Sequence, residues 1–148
     1  MLPDDVSLNK AAIIERCVRR MREERAADPE MSHPTHLDAM TLNIERACQA
    51  AIDLAMHWVA KRHLGIPQAS AEAFVLLEKA GMISTALARS LQGMTGFRNV
   101  AIHEYQTLDR SVLCWIVDKG WQDWIEFCQV LGLAICSDKN GTPDGRHR

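Results

Sequence analysis

The stretch Leu37–Trp58, LDAMTLNIERACQAAIDLAMHW, decides the fold class of this 148-residue chain. Its apolar residues recur at intervals of three and four, the period of one face of an α-helix. The residues on this face are Leu37, Met40, Ile44, Ala47, Ala51, Leu54 and Trp58. We expect this helix to begin near Ser32 or Pro34 and to stop by Gly65-Ile66-Pro67, because glycine and proline end helices.

The same helical period continues on both sides of this segment, without an alternating, strand-like run or an internal repeat. A first helix is predicted from a cap at Ser7 to about Ala27. Its apolar stripe is Leu8, Ala11, Ile14, Val18 and Met21. A third helix is predicted to begin at a cap on Ser70, with Gly81 as a weak point and its end bracketed by Gly93 and Gly96.

A last helix is predicted to begin near Thr107 or Asp109 and to bend at Gly120. The four tryptophans have aliphatic and aromatic neighbours at helical spacing, which favours packing in the core or at a dimer contact over stacking on bases: Trp58, Trp115, Trp121 and Trp124. The fold class is therefore all-α, an antiparallel bundle of four to five helices. One domain is expected over residues 1–136, followed by a polar, flexible C-terminal tail at 137–148.

Composition indicates the compartment of the protein and the kinds of ligand that it can bind. Hydrophobic residues make up 47% of the chain and the net charge is −2, so any RNA contact needs a local basic patch. The five cysteines include no CxxC pair and indicate reduced core thiols. The acidic start and the lack of a long uncharged apolar run predict a cytoplasmic protein with no membrane contact. His33, His36, His57 and His63 lack further ligands at metal-site spacing, so neither a metal nor another cofactor is expected.

The candidate site is the stretch RNVAIHEY, which starts at Arg98. Arg98 carries a planar fork that suits phosphate oxygens, and His103 carries an imidazole that exchanges a proton near neutral pH. On a straight helix Arg98 and Tyr105 lie about 20° apart, but Arg98 and His103 lie about 140° apart. The motif is expected to lie on a short helical segment opened by Thr95 and Gly96. Convergence on one phosphate needs a break in the helix, a long arginine reaching round, or a second subunit. We favour the second subunit, aided by a break.

Four long helices with this arginine-to-histidine spacing before the last helix resemble the HEPN superfamily. The tyrosine two places after the histidine resembles the HepT toxins, which pair with a minimal nucleotidyltransferase antitoxin called MntA. The resemblance covers about Ser7 to Ile135. It implies a HEPN-type homodimer whose two motifs meet in a cleft and cleave RNA without a metal. It also implies that the antitoxin silences the toxin by attaching AMP to Tyr105.

On this resemblance Arg98 and His103 are the catalytic residues, and Asn99 and Glu104 support them. The alternative function is a catalytically silent HEPN module that binds a nucleotide or substrate for a nucleotidyltransferase. A further alternative is a purely structural helical dimer in which the motif only joins helices. The arginine run of the first helix either steers RNA or forms a solvated, charge-mixed face, because glutamates intersperse it: Arg16, Arg19, Arg20, Arg22 and Arg25.

Overall fold

The structure is a computed structural model that describes residues 3–103, 110–133 and 135, with the side chains of residues 100–103 left out. Every regular element in these residues is helical, which confirms the predicted fold class. The helices are α1 (Asp5–Ala27), α2 (Pro34–Lys61), α3 (Glu72–Lys79), α4 (Thr85–His103), α5 (Arg110–Trp115) and α6 (Trp121–Val130). A π-helical turn, Ile116–Gly120, joins α5 to α6, so the helical backbone continues from one to the other. Helix α2 packs against α1, α3 and α4, and α6 packs against α1 and α4.

The N-cap of α1 lies three residues before the predicted cap. The carboxylate of Asp4 accepts the backbone N–H of Ser7 at 2.8 Å and is therefore the N-cap. The same carboxylate contacts His57 Nε2 and Lys61 Nζ of α2, each at 2.7 Å. The prediction of a Ser7 cap was wrong because these α2 partners favour Asp4. Leu8 was wrongly placed on the buried stripe, since it is 48% exposed.

The turn between α1 and α2 is closed by Asp28. Its carboxylate accepts the backbone N–H groups of Ser32 and His33 at 3.2 and 2.8 Å. Helix α2 then begins at Pro34, one of the two predicted starts, where a missing N–H costs nothing. The predicted apolar face of α2 is confirmed, because all of it is buried except the partly buried Leu37.

The predicted third helix is two helices. Gly81 adopts φ +76°, a conformation that favours glycine, and it separates α3 from α4. Ser84 Oγ then accepts the backbone N–H of Leu87 at 3.1 Å near the start of α4. Gly93 and Gly96 lie inside α4, so the prediction that they bracket a helix end was wrong. Buried Leu91 and Met94 carry the helix past both glycines by packing in the core.

The bend predicted at Gly120 stays a prediction, and its place coincides with the end of the π-helical turn, a feature that often kinks helices. Trp58, Trp121 and Trp124 are buried in the core, as predicted. Trp115 lies against Gly120 and is 44% exposed, so it is not a core residue. The predicted starts of the last helix, Thr107 and Asp109, lie outside the described residues, as does the predicted tail at 137–148.

The chemistry of the core agrees with a reduced, close-packed interior. Cys17, Cys48 and Cys128 are free and buried, and Cys114 is free and half-buried. Burial raises the pKa of the Cys128 thiol to about 12, so this thiol stays protonated. Over the part of the chain that the structure describes, the helices are too short or too polar to span a bilayer.

Candidate active site on the fourth helix

Helix α4 carries both predicted catalytic positions. It runs without a break from Thr85 to His103, so Arg98 and His103 lie on one helix, five residues apart. The Thr95 hydroxyl donates to the Leu91 carbonyl at 3.0 Å, a bond within the helix. The prediction that Thr95-Gly96 opens a separate helical segment was therefore wrong. So was the expectation that a helix break helps to bring Arg98 and His103 together.

Arg98 lies at the edge of the buried face of α4. Phe97 is 7% exposed and packs in the core, whereas Asn99 is exposed and Arg98 is half-buried. Arg98 Nη1 donates to Asn99 Oδ1 at 3.1 Å. This bond holds the guanidinium near the backbone of its own turn, and the remaining N–H groups of the fork provide further donors. The structure thus brings Arg98 together with Asn99, the residue predicted to support it.

A thiol on α2 fixes the turn of α4 below Arg98. Cys48 Sγ donates to the backbone carbonyl of Met94 at 3.3 Å. In an α-helix that carbonyl also accepts the N–H of residue 98, four positions later. Burial raises the pKa of the Cys48 thiol well above its usual range, and the nearby Arg98 guanidinium opposes this shift only in part. Sequence reasoning identified Cys48 as a core thiol but not as a neighbour of the arginine.

The rest of the motif lies at or beyond the end of the described part of α4. His103 is the last helical residue, and its side chain is outside the description. Glu104 and Tyr105 fall in the range 104–109, which the structure does not describe. The roles assigned to these three residues therefore stay predictions.

Two of the other histidines take part in contacts between elements. His36 Nδ1 contacts Glu24 Oε2, which links α2 to α1. His57 contacts Asp4, as described above. Among residues 3–103, 110–133 and 135, no group of three or more histidines, cysteines and carboxylates is arranged to hold a metal ion.

Most of the arginine run on α1 is engaged in structural contacts. Arg20 pairs with Glu23 at 2.8 Å and with Glu24 at 3.2 Å. Arg25 pairs with Asp118 of the π-helical turn at 3.0 Å. Arg22 lies over the ring of Trp121, with its guanidinium carbon 4.2 Å from the centroid. The run therefore does not act as one uniform basic surface.

The sequence of the bundle that carries Arg98 matches a known protein family. A family model described as "Ribonuclease HepT-like" matches residues 8–131. The chain belongs to the HepT-like ribonuclease family. Most of the described helical bundle lies inside this match, including Arg98 and His103.

Two curated HepT proteins are similar to this family member. It is 34% identical over 129 residues to "mRNA nuclease HepT" of Shewanella oneidensis, covering 86% of this chain and 97% of that protein. It is 36% identical over 61 residues to "tRNA nuclease HepT" of Aphanizomenon flos-aquae, covering 41% of this chain and 42% of that protein.

Solved structures of HepT-like toxins share the fold. One is a toxin–antitoxin complex with AMP-PNP, at 34% identity and a TM-score of 0.83, covering 87% of this chain and 98% of that one. Another is the tri-AMPylated Shewanella oneidensis HEPN toxin in complex with the MNT antitoxin. Its identity is 34% and its TM-score 0.83, with 88% of this chain and 98% of that one covered.

Proposed function

We propose that this HepT-like chain is the toxin of a type VII-like toxin–antitoxin pair, a ribonuclease silenced by a cognate MntA-like nucleotidyltransferase. The observation that carries the proposal is the place of Arg98 and His103 on the last turns of α4, within a family match that spans the bundle. The similarity to "mRNA nuclease HepT" over 97% of that protein supports RNA as the substrate. The protein works in the cytoplasm, where its RNA substrates are.

Arg98 holds the scissile phosphate. Its guanidinium is permanently charged and presents N–H donors in the planar geometry of phosphate oxygens. As the phosphorus gains a fifth oxygen, negative charge grows on the equatorial oxygens, and a fixed cation stabilises that state more than the ground state. The bond to Asn99 and the Cys48 contact below it hold this group in place before substrate arrives.

His103 moves the proton. In a metal-independent cleavage the ribose 2′-oxygen attacks phosphorus while its proton passes to a base, and the 5′-oxygen leaves with a proton from an acid. The new bond closes a 2′,3′-cyclic phosphate. Imidazole suits both steps because its ordinary pKa lies near neutrality. DNA has no 2′-hydroxyl and is not cut by this route.

The centre needs two copies of the chain. Because α4 is an unbroken helix, positions 98 and 103 lie about 140° apart around one axis. A twofold partner that presents its own α4 supplies the facing residue, so that a homodimer completes the cleft. The family's solved toxin–antitoxin complexes support an assembly of several chains.

Tyr105 is the site of regulation. Attachment of AMP to its phenol oxygen by the antitoxin, with release of pyrophosphate from ATP, adds bulk and negative charge two residues from His103. The adduct repels and blocks the RNA phosphate. Glu104, which lies between His103 and Tyr105 in the sequence, stabilises the protonated imidazole of His103. The tri-AMPylated state of the related Shewanella oneidensis toxin supports this mode of control.

The test is cleavage of total cellular RNA by the purified, dimeric chain in EDTA, with the mass of the protein checked for AMP. His103→Ala and Arg98→Ala are compared with Arg89→Ala, which removes an exposed arginine from the same helix. We expect cyclic phosphate ends from the parent and from Arg89→Ala, and none from the other two. No cleavage by unmodified parent protein, or equal cleavage by folded His103→Ala, would contradict the proposal and favour a silent binding module.

A further inference from the structure

A groove runs along the outer side of the α1–α2 hairpin, away from the side on which α2 meets α4. Its volume is about 620 Å³, within the range of small-ligand pockets. Residues from both helices form its walls and floor, including Ile13, Arg16 and Cys17 of α1 and Leu42, Arg46 and Ala50 of α2. No step of the proposed cleavage uses these residues.

Two of the four cations that line the groove have no partner among the described residues. Lys10 pairs with Asp53 at 3.1 Å, and Arg20 pairs with Glu23 and Glu24, so those two charges are compensated. Arg16 and Arg46 are exposed and make no ion pair or hydrogen bond with the residues that the structure describes.

These two arginines belong to opposite walls of the groove. Arg16 comes from α1 and Arg46 from α2. Both guanidiniums lie close enough to the buried Cys17 thiol, which also lines the groove, to oppose the rise in its pKa that burial causes. A ligand in the groove therefore meets positive charge from both walls and apolar surface between them.

The chemistry of the groove favours a nucleic-acid strand over an extended acidic peptide. Backbone N–H and C=O groups inside two helices are already bonded to each other, so the walls offer none for a peptide backbone. Arginine forks need no such help to bind phosphates, and their planes, with the side chains of Ile13 and Leu42, suit the faces of bases. A strand also repeats its negative charge, which matches two cations on facing walls.

We propose that this groove binds a segment of the RNA substrate away from the cleavage centre, with Arg16 and Arg46 on its phosphates. The inference rests on the ribonuclease function proposed above. Arg46 and Cys48 are two residues apart and so point about 200° apart around α2, and Cys48 faces α4 below Arg98. An RNA strand that occupies both the groove and the site of Arg98 crosses the width of α2, about 10 Å. Long RNAs engage the groove, and dinucleotides do not reach it.

The first test measures binding without cleavage. A labelled single-stranded RNA is titrated with His103→Ala protein carrying Arg16→Gln and Arg46→Gln, at several salt concentrations. The matched control carries Arg19→Gln and Arg62→Gln, which remove two exposed charges outside the groove. We expect Kd to rise about tenfold in the groove variant only. The slope of log Kd against log salt should fall by about 1.4, the value for two lost phosphate contacts on a single strand.

The second test separates the groove from the catalytic centre. With His103 intact, the groove variant should raise KM for a long RNA about tenfold and leave kcat unchanged. Cleavage of a dinucleotide should match the parent. Because binding is measured in a cleavage-dead protein, an absence of RNase activity would refute the proposed function and leave the binding result standing.

Three results would overturn the inference. Equal losses of binding in the groove and control variants would indicate a nonspecific charge effect. An unchanged Kd and salt slope would show that the groove holds no RNA. Unchanged RNA binding with weakened binding of the antitoxin would assign the groove to an acidic protein surface instead.

Discussion

Replacing Gly120 by alanine tests how the π-helical turn between α5 and α6 packs against Trp115. A Cβ built on Gly120 would lie 2.6 Å from Cζ3 and 3.0 Å from Cε3 of Trp115. Carbon atoms in contact are normally about 3.5–4.0 Å apart, so the indole must move. Because Trp115 is 44% exposed, its ring can swing outward, and the cost is the burial that it loses.

Lost burial of Trp115 and the higher helix propensity of alanine oppose each other, and their sizes decide whether Gly120→Ala destabilises the protein. A tryptophan buries about 150–250 Å² when fully covered, so a half-buried ring that swings out exposes about 100 Å². At about 25 cal/mol per Å² this loss is about 2.5 kcal/mol. Alanine offsets about 1 kcal/mol of it through its higher helix propensity. The free energy of unfolding should therefore fall by about 1.5 kcal/mol, which lowers Tm by about 4 °C in a chain of this size.

Urea unfolding of a double-mutant cycle gives the decisive measurement. In a Trp115→Ala background the added methyl group meets no ring, so Gly120→Ala should stabilise the protein by about 1 kcal/mol instead. Gly93→Ala is the matched control in α4, because apart from the neighbouring helix backbone no described atom lies within 4 Å of its Cβ, and it should also stabilise. If Gly120→Ala destabilises the protein equally with and without Trp115, the indole contact is not the cause and the reasoning fails.

Three further predictions concern charge, thiols and the site. The Lys61 and His57 contacts hold the pKa of Asp4 far below its usual range, so the stability that ionised Asp4 contributes is present above about pH 4 and lost as pH falls. Asp4→Asn should therefore lower Tm at pH 7. In acid the Tm of this variant should approach that of the parent, as measured by circular dichroism. Iodoacetamide at pH 7.5 should modify the half-buried Cys114 before the buried Cys128, and mass spectrometry showing the reverse order would contradict the burial assignment. Arg98→Lys should lower RNA cleavage by about 10²-fold because a point charge lacks the planar fork, and cleavage near the parent rate would show that charge alone suffices.

The sequence predicted those features that depend on periodicity. The apolar face of α2 is complete within Leu37–Trp58, and the core confirms it. Periodicity could not predict the N-cap of α1, because Asp4 and Ser7 are both good caps and only Asp4 contacts His57 and Lys61. Gly93 and Gly96 suggested a helix end by composition alone, but Leu91 and Met94 bury enough surface to carry α4 through them.

The site was predictable in its residue types and less so in its surroundings. The spacing of Arg98 and His103 is visible in eight consecutive letters. The thiol of Cys48 meets the Met94 carbonyl across 46 positions of sequence, and nothing in either local pattern indicates the contact. The same holds for the groove, because Arg16 of α1 and Arg46 of α2 lie 30 positions apart in sequence and line one groove only in the folded chain.

The exposure of Trp115 gives the protein an internal optical reporter. Three indoles, at Trp58, Trp121 and Trp124, are sealed from solvent and should emit at short wavelength and resist acrylamide. Trp115 alone should emit at long wavelength and be quenched, so its signal can be separated from the other three by difference spectra. A molecule that covers the surface around α5 will shift this component to the blue, and one that binds elsewhere will leave it unchanged. Association with antitoxin, RNA or a second copy can therefore be followed on unlabelled protein, and the place of contact can be distinguished in the same titration.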